Sequence, residues 1–260
     1  DVEGEKVLRY FASNHLIANP SKTGLLIFRP KLTMHAPVMV VDLGGEKITE
    51  SDEQKVLGVI ISKDMKWTKQ AEKIRGECPY RLSILRRLSR FLSSQQIKAI
   101  AEGMIMSRLR YCLPAWATEY TRLTSSDPQS KITHDLQVLQ NEMLRAITKN
   151  KKRDHVKITD MLEAMQMLSI NQLIAYGTLM ETWKARMFKI PHLSSLLEHK
   201  QGGDRRLRSD SAGVLRATVD EPFALTAEKL WNMSSERFKN TNLTSVAKIE
   251  ARKTAHQLPI

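Results

Sequence analysis

The sequence predicts an α+β fold in which a small antiparallel sheet with one packed helix precedes a mostly α-helical remainder. Between residues 19 and 62, short apolar runs alternate with turn signals, as expected for short antiparallel strands. After Trp67 the apolar residues recur at the three- and four-residue spacing of amphipathic helices. The chain has 260 residues, of which 42% are apolar, and this is enough to bury a core.

Five elements are predicted in the first 62 residues. Apolar spacing predicts a helix over about residues 3–15. Thr23–Phe28 is an apolar run that predicts a buried strand, and Val38–Thr49 predicts a hairpin that turns at Gly44-Gly45, because glycine accepts positive φ. Val56–Ile61 is almost entirely aliphatic and is the strongest strand signal in the chain. We expect these four strands to form one small sheet.

The helical part is predicted from its apolar stripes and one capping signal. A first helix is expected to end near Phe91. Ser93, followed three residues later by Gln96, predicts a capping box that opens a second helix running towards Cys112. Further stripes predict helices around residues 136–147, 159–165, 173–183, 223–238 and 246–255.

The charge of the chain indicates an anionic partner. It has 41 Lys and Arg residues against 28 Asp and Glu, a net charge of +13, which favours nucleic acid over a membrane surface. No apolar run approaches the roughly 18 residues of a membrane span, so no membrane partner is expected and an intracellular location, nucleus or cytoplasm, is predicted. The two cysteines exclude a disulfide framework and a cysteine-rich zinc site.

Two basic clusters are candidate phosphate contacts. Residues 63–110 contain 12 basic and 4 acidic residues. The candidate nucleic-acid-binding residues of the two clusters are Arg81, Arg86, Arg87, Arg90, Arg145, Lys149, Lys151, Lys152 and Arg153. A solvated helix face or, for the second cluster, a nuclear-import signal would have a similar composition. A further basic loop at residues 200–211 is interpreted as a linker.

Cys112 and three of the tryptophans are interpreted as structural residues. Cys112 follows an apolar helix and is predicted to be a buried thiol. Trp116, Trp183 and Trp231 lie at the edges of apolar stripes, and we expect them to pack in the core. Base stacking would require an aromatic ring that is exposed beside positive charge.

Several short stretches occur in an order that identifies a family. They are Asn19-Pro20-Ser21-Lys22-Thr23; Val56-Leu57-Gly58-Val59-Ile60-Ile61 with Asp64 and Trp67; Leu85-Arg86-Arg87-Leu88; Leu109-Arg110-Tyr111-Cys112 with Pro114 and Trp116; Leu139-Gln140-Asn141 with Leu144-Arg145; Leu168-Ser169-Ile170-Asn171-Gln172-Leu173; Leu230-Trp231-Asn232; and Leu258-Pro259-Ile260. Over nearly the whole chain, this order resembles the C-terminal half of the reverse transcriptases of non-LTR (LINE-type) retrotransposons.

The resemblance implies a role for each part of the chain. Residues 1–62 would be the end of the palm, residues 63–150 a helical thumb, and residues 151–260 a helical C-terminal extension. Lys22 would be a candidate catalytic residue, the general acid for the departing pyrophosphate, because an ammonium group can donate a proton and offset phosphate charge. Leu57, Gly58 and Val59 would form the primer grip, and the thumb would clamp an RNA–DNA or DNA duplex through its phosphates.

The resemblance also implies what this chain lacks. Polymerisation requires two metal ions held by carboxylates, and in the family an Asp-Asp turn precedes the helix with which this chain begins; no Asp-Asp pair occurs here. We therefore expect a piece of a longer polymerase that binds no cofactor itself, Mg²⁺ belonging to the complete parent enzyme. Its other partner would be the upstream palm and fingers of the same polyprotein. The alternatives are a degenerate element remnant without activity and a domesticated helical module that binds RNA or a protein.

Overall fold

The computed structural model describes residues 2–17, 19–29, 37–199 and 214–260. The chain divides into two compact units, residues 1–73 and 74–260. Helices dominate the described residues and every strand pair among them is antiparallel, which confirms the α+β prediction. None of the described helices is long and apolar enough to cross a membrane. The basic loop predicted at residues 200–211 lies outside the described residues, and the three-part division of the chain stays a prediction.

The first unit contains a helix and two hairpins. The elements are α1 (Val2–Ser13), β1 (Val40–Leu43), β2 (Glu46–Thr49), β3 (Glu53–Val56), β4 (Val59–Ser62) and the beginning of α2 (Thr68–Leu88). β1 pairs with β2 and β3 pairs with β4, and each pair is a separate two-stranded sheet. The prediction of one sheet with four strands is therefore wrong, because each of these strands forms ladder hydrogen bonds only with its hairpin neighbour.

The two hairpins turn at residues with positive φ. Gly44 and Gly45 have φ of 65° and 91°, which confirms the first predicted turn. The second turn is at Leu57 and Gly58, with φ of 47° and 89°. Val56–Ile61 is thus not one strand, as its aliphatic composition predicted, but the end of β3, a two-residue turn and most of β4. Gly58 decides the difference, since it accepts a left-handed backbone without steric cost.

The apolar run Thr23–Phe28 does not form a strand. Only Leu25 makes an isolated bridge, which is parallel to Glu50. Glu50, the bridge partner of Leu25, belongs to the three-residue connection between β2 and β3. This connection is too short for residues 23–28 to pair with it as a strand.

Partly buried hydrogen bonds hold the beginning of α2 against the β3–β4 hairpin. Val59 and Ala71 are buried, and the side-chain carbonyl of Gln70 accepts a hydrogen bond of 3.0 Å from the Ile60 amide. The Lys73 ammonium donates a bond of 2.5 Å to the carbonyl of Gly58. The hairpin tip is therefore fixed by two side chains of α2.

The second unit is helical apart from one short strand pair. Its elements after α2 are α3 (Ser94–Ala101), a π-helical turn (Glu102–Met106), α4 (Ser107–Arg110), α5 (Leu113–Ala117), α6 (Lys131–Thr148), α7 (Ile158–Ala164), α8 (Ile170–Met187), α9 (Pro191–Ser195), β5 (Leu197–His199), β6 (Leu215–Ala217), α10 (Pro222–Met233), α11 (Glu236–Asn240) and α12 (Thr244–His256). Each predicted helix of this region corresponds to one or more of these helices, in the same order along the chain. The capping box of Ser93 and Gln96 is present at the start of α3.

Helix α8 lies at the centre of this unit and packs against α5, α6, α10 and α12. At its N-terminal end, the amide of Asn171 donates to the Pro259 carbonyl at 2.8 Å and that of Gln172 to the Leu258 carbonyl at 3.2 Å. The C-terminal residues are thereby tied to the beginning of α8.

The tryptophan prediction is confirmed and the cysteine prediction is wrong. Trp116, Trp183 and Trp231 are all buried. Cys112 is exposed, since it has a φ of 51° in the turn between α4 and α5, which breaks the helical stripe before the thiol reaches the core. The buried thiol of the second unit is Cys78, and burial raises its pKa.

Candidate nucleic-acid interface

The two basic clusters of the sequence meet in one open cleft of the second unit. Its volume is about 600 Å³. Six cationic side chains and one carboxylate line it, so the lining has a net charge of +5: Arg86, Arg90, Arg145, Lys149, Lys151, Lys152 and Glu142. We call this site the cationic cleft.

The direction of α2 and α6 explains why the clusters meet. Arg75 pairs with Asp135 at 3.0 Å, and further along both helices Arg86 pairs with Glu142 at 2.5 Å. Because both pairs advance in the same direction, the helices run in parallel and their C-terminal ends arrive at the same place. Cationic side chains are favourable there, since they offset the negative end of each helix dipole.

Three of the six cations share one acid. The carboxylate of Glu142 lies 2.5 Å from a guanidinium nitrogen of Arg86, 3.2 Å from the Lys152 ammonium and 3.5 Å from a guanidinium nitrogen of Arg145. Glu142 is about one-fifth exposed, so these pairs are only partly screened by water.

The other three cations have no acidic partner among the residues that the structure describes. Within the described ranges, the side chains of Arg90, Lys149 and Lys151 make no hydrogen bond or ion pair. The loop that carries Lys151 is nevertheless ordered by a hydrogen bond of 2.6 Å from its amide to the carboxylate of Asp154. These three positive charges are available to an external anion.

The remaining predicted contacts lie outside the cleft lining. Arg87 and Arg153 are exposed close to it along the chain. Arg81 donates to the carbonyl of Glu77 in its own helix. Glu77 and Glu102, two of the four acids counted in residues 63–110, contact Arg108 and Arg110, so these two arginines are already paired.

The candidate residues of the first unit lie at two separate turns. Lys22 is exposed at the end of a short 3-10 turn, where its amide donates to the carbonyl of Asn19 at 3.0 Å. Leu57 and Gly58 form the hairpin tip and Val59 is buried in β4. The sequence pattern does not indicate the contact of Lys73, whose ammonium donates to the Gly58 carbonyl. Its only sequence signal is a lysine that follows the first turn of α2.

The described residues do not provide a metal site. Among them, no group of three His, Cys, Asp or Glu side chains is placed to hold a metal ion.

The chain matches no protein-family model, no characterised protein and no solved structure. A functional interpretation consequently depends on the residues and the geometry of the cationic cleft. A cleft of this charge is suited to a polyanion that is bound through its backbone.

Proposed function

We propose that this chain binds a template–primer duplex, RNA–DNA or DNA, through its phosphates, as the thumb and C-terminal extension of a non-LTR retrotransposon reverse transcriptase. The observation that carries the proposal is the convergence of two distant basic clusters in the cationic cleft. Three of its cations, Arg90, Lys149 and Lys151, have no acidic partner among the described residues. Each can replace a counterion on a phosphate, and release of that counterion drives binding.

The proposed binding is independent of base sequence. Lysine and arginine that contact phosphates position a duplex but carry no information about its bases. A thumb needs this property, because it must hold each successive product of synthesis.

Lys22 and the Leu57-Gly58-Val59 turn belong to the same proposal in the complete enzyme. Lys22 would act as the general acid and the turn would hold the primer end. Both roles depend on carboxylates, Mg²⁺ and a nucleotide site from the upstream palm and fingers. This chain alone is proposed to bind duplex without extending a primer.

The test is a titration of a fluorescent RNA–DNA hybrid at several salt concentrations. We expect tight binding at low salt and a steep loss as salt rises. The triple variant Arg90→Glu, Lys149→Glu and Lys151→Glu should reduce the slope of log K against log salt by about 3, roughly one for each lost phosphate contact.

A matched control separates the cleft from the overall charge. Lys131, Lys229 and Lys248 are exposed residues of the second unit outside the cationic cleft. Their replacement by glutamate changes the net charge equally and should leave most of the binding. Equal losses in both triple variants would contradict the proposal, because binding would then depend on net charge and not on the cleft. No binding by the unaltered chain at low salt would also contradict it and would favour the inactive-remnant alternative.

A further inference from the structure

An exposed phenylalanine lies beside the cationic cleft. Phe91 is 83% exposed in the turn that follows α2, and it comes directly after Arg90, a residue of the cleft lining. Arg87, in the last turn of α2, is also exposed. Neither arginine side chain makes an ion pair or hydrogen bond within the described part of the chain.

The turn holds Phe91 in this position. The amide of Phe91 donates to the carbonyl of Leu88 at 2.9 Å, and that of Leu92 donates to the same carbonyl at 3.1 Å. The capping box of Ser93 then starts α3 at once. Since both ends of the turn are fixed by hydrogen bonds, the exposure of the ring is a property of the fold.

Two other phenylalanines of the helical unit, Phe188 and Phe238, differ from Phe91 in their surroundings. Phe238 is buried, and Phe188 is exposed but packs its ring edge-on against Trp183 with 6.3 Å between the ring centroids. Phe91 has no such ring contact among the described residues. Within the described part of the chain, Phe91 thus combines a free aromatic face with two arginines that have no acidic partner, Arg87 at the end of α2 and Arg90 in the turn.

On the basis of the function proposed above, we propose that Phe91 is a stacking platform for an unpaired base, so that the cationic cleft prefers nucleic acid in which a single-stranded overhang adjoins a duplex. An unpaired base has a free π-face that can stack on the ring, and its flanking phosphates meet Arg87 and Arg90. A paired base inside a duplex is already stacked on both sides and cannot use the ring. Every base has a π-face, so the preference is for an overhang and not for a sequence.

The test compares a blunt RNA–DNA hybrid with the same hybrid carrying an overhang of about five nucleotides. The unaltered chain should bind the overhang form about tenfold more tightly, within the range measured for one stacked base. Phe91→Leu, which stays apolar but has no aromatic face, should abolish that difference and leave binding of the blunt hybrid unchanged. Phe91→Trp should keep it.

Two controls keep the outcome clear. Phe188→Leu removes another exposed ring outside the cleft and should change neither affinity, and thermal unfolding of Phe91→Leu checks that its fold is intact. Equal affinity of the unaltered chain for the two hybrids, or an equal loss for both in Phe91→Leu, would overturn the stacking role. The function proposed above would still stand if Lys149→Glu with Lys151→Glu weakened binding of the blunt hybrid, and would fail if it did not.

Discussion

Arg86 on α2 and Glu142 on α6 are 56 residues apart in the chain and form an ion pair of 2.5 Å at the floor of the cationic cleft. The same carboxylate contacts Lys152 and Arg145. Glu142 therefore occupies the place among these three cations that a phosphate oxygen would take. It orders the cations and at the same time competes with an external anion.

We predict that Glu142→Gln binds duplex more tightly. The change keeps the shape of the side chain, removes the competing charge and releases three cations, so affinity at low salt should rise about threefold to tenfold, with a steeper salt dependence. The loss of the ion pairs should lower the free energy of unfolding by no more than about 1 kcal/mol. Glu181→Gln, which breaks the pair of Glu181 with Lys184 on α8, is the control. Weaker binding by Glu142→Gln would show that its ordering role outweighs its competition.

Lys149 is predicted to trade stability for binding. It ends α6 with a φ of 62°, a left-handed conformation that favours glycine. Lys149→Gly should raise the free energy of unfolding by about 1 kcal/mol and should weaken duplex binding, because a cleft cation is lost. Lys189, with a φ of 49° after α8, is the matched case: Lys189→Gly should stabilise to a similar extent without any effect on binding. Thermal unfolding and hybrid titration measure the two effects, and unchanged binding by Lys149→Gly would remove Lys149 from the interface.

Gly177 permits the close contact of α8 with α5. A Cβ atom at this position would lie 2.5 Å from Cγ of Pro114, well inside van der Waals contact. Gly177→Ala should therefore destabilise the chain by about 1–3 kcal/mol. Gly76, in the interior of α2, has open space around it, and Gly76→Ala should stabilise by about 0.5–1 kcal/mol. Urea unfolding of both variants tests the pair. An increase in the free energy of unfolding for Gly177→Ala as well as for Gly76→Ala would show that the α5–α8 contact relaxes without cost.

The Arg29–Glu50 pair makes the first unit sensitive to acid. Hydrogen bonds from the Arg29 guanidinium, and then one from the Met39 amide, lower the pKa of Glu50 from its ordinary value of 4.5 to about 2. Because the pKa of the folded state is the lower one, the stabilisation by this pair is complete above pH 4.5 and is lost as the pH falls towards 2. Amide hydrogen exchange at Glu50, whose N–H donates to the Met39 carbonyl, should speed up over this range beyond the normal dependence of exchange on pH. Glu50→Gln should not show this additional acceleration of exchange. The same dependence of the exchange rate on pH in both proteins would contradict the role of the Glu50 carboxylate.

Local patterns were sufficient for most helices and one hairpin. The capping box at Ser93 and the turn at Gly44-Gly45 depend on contacts within a few residues, and both are present as predicted. The prediction failed at Val56–Ile61, where an apolar run conceals a turn at Leu57 and Gly58, because aliphatic composition favours a strand but does not locate its end. Cys112 was misjudged for a related reason: a single residue with positive φ rotates its side chain out of the apolar stripe.

The sequence by itself determined the α+β class, the order of the helices and the presence of two separate basic clusters, because these follow from local periodicity and composition. Only the tertiary structure decided that Arg90 and Lys149 line one cleft, that Arg86 forms an ion pair with Glu142 and that Phe91 is exposed to solvent next to Arg90. The physical reason is that two parallel helices must end at the same place before residues about 60 positions apart can act on one anion. Charge can be counted along a chain, but the partners that neutralise it are selected by packing.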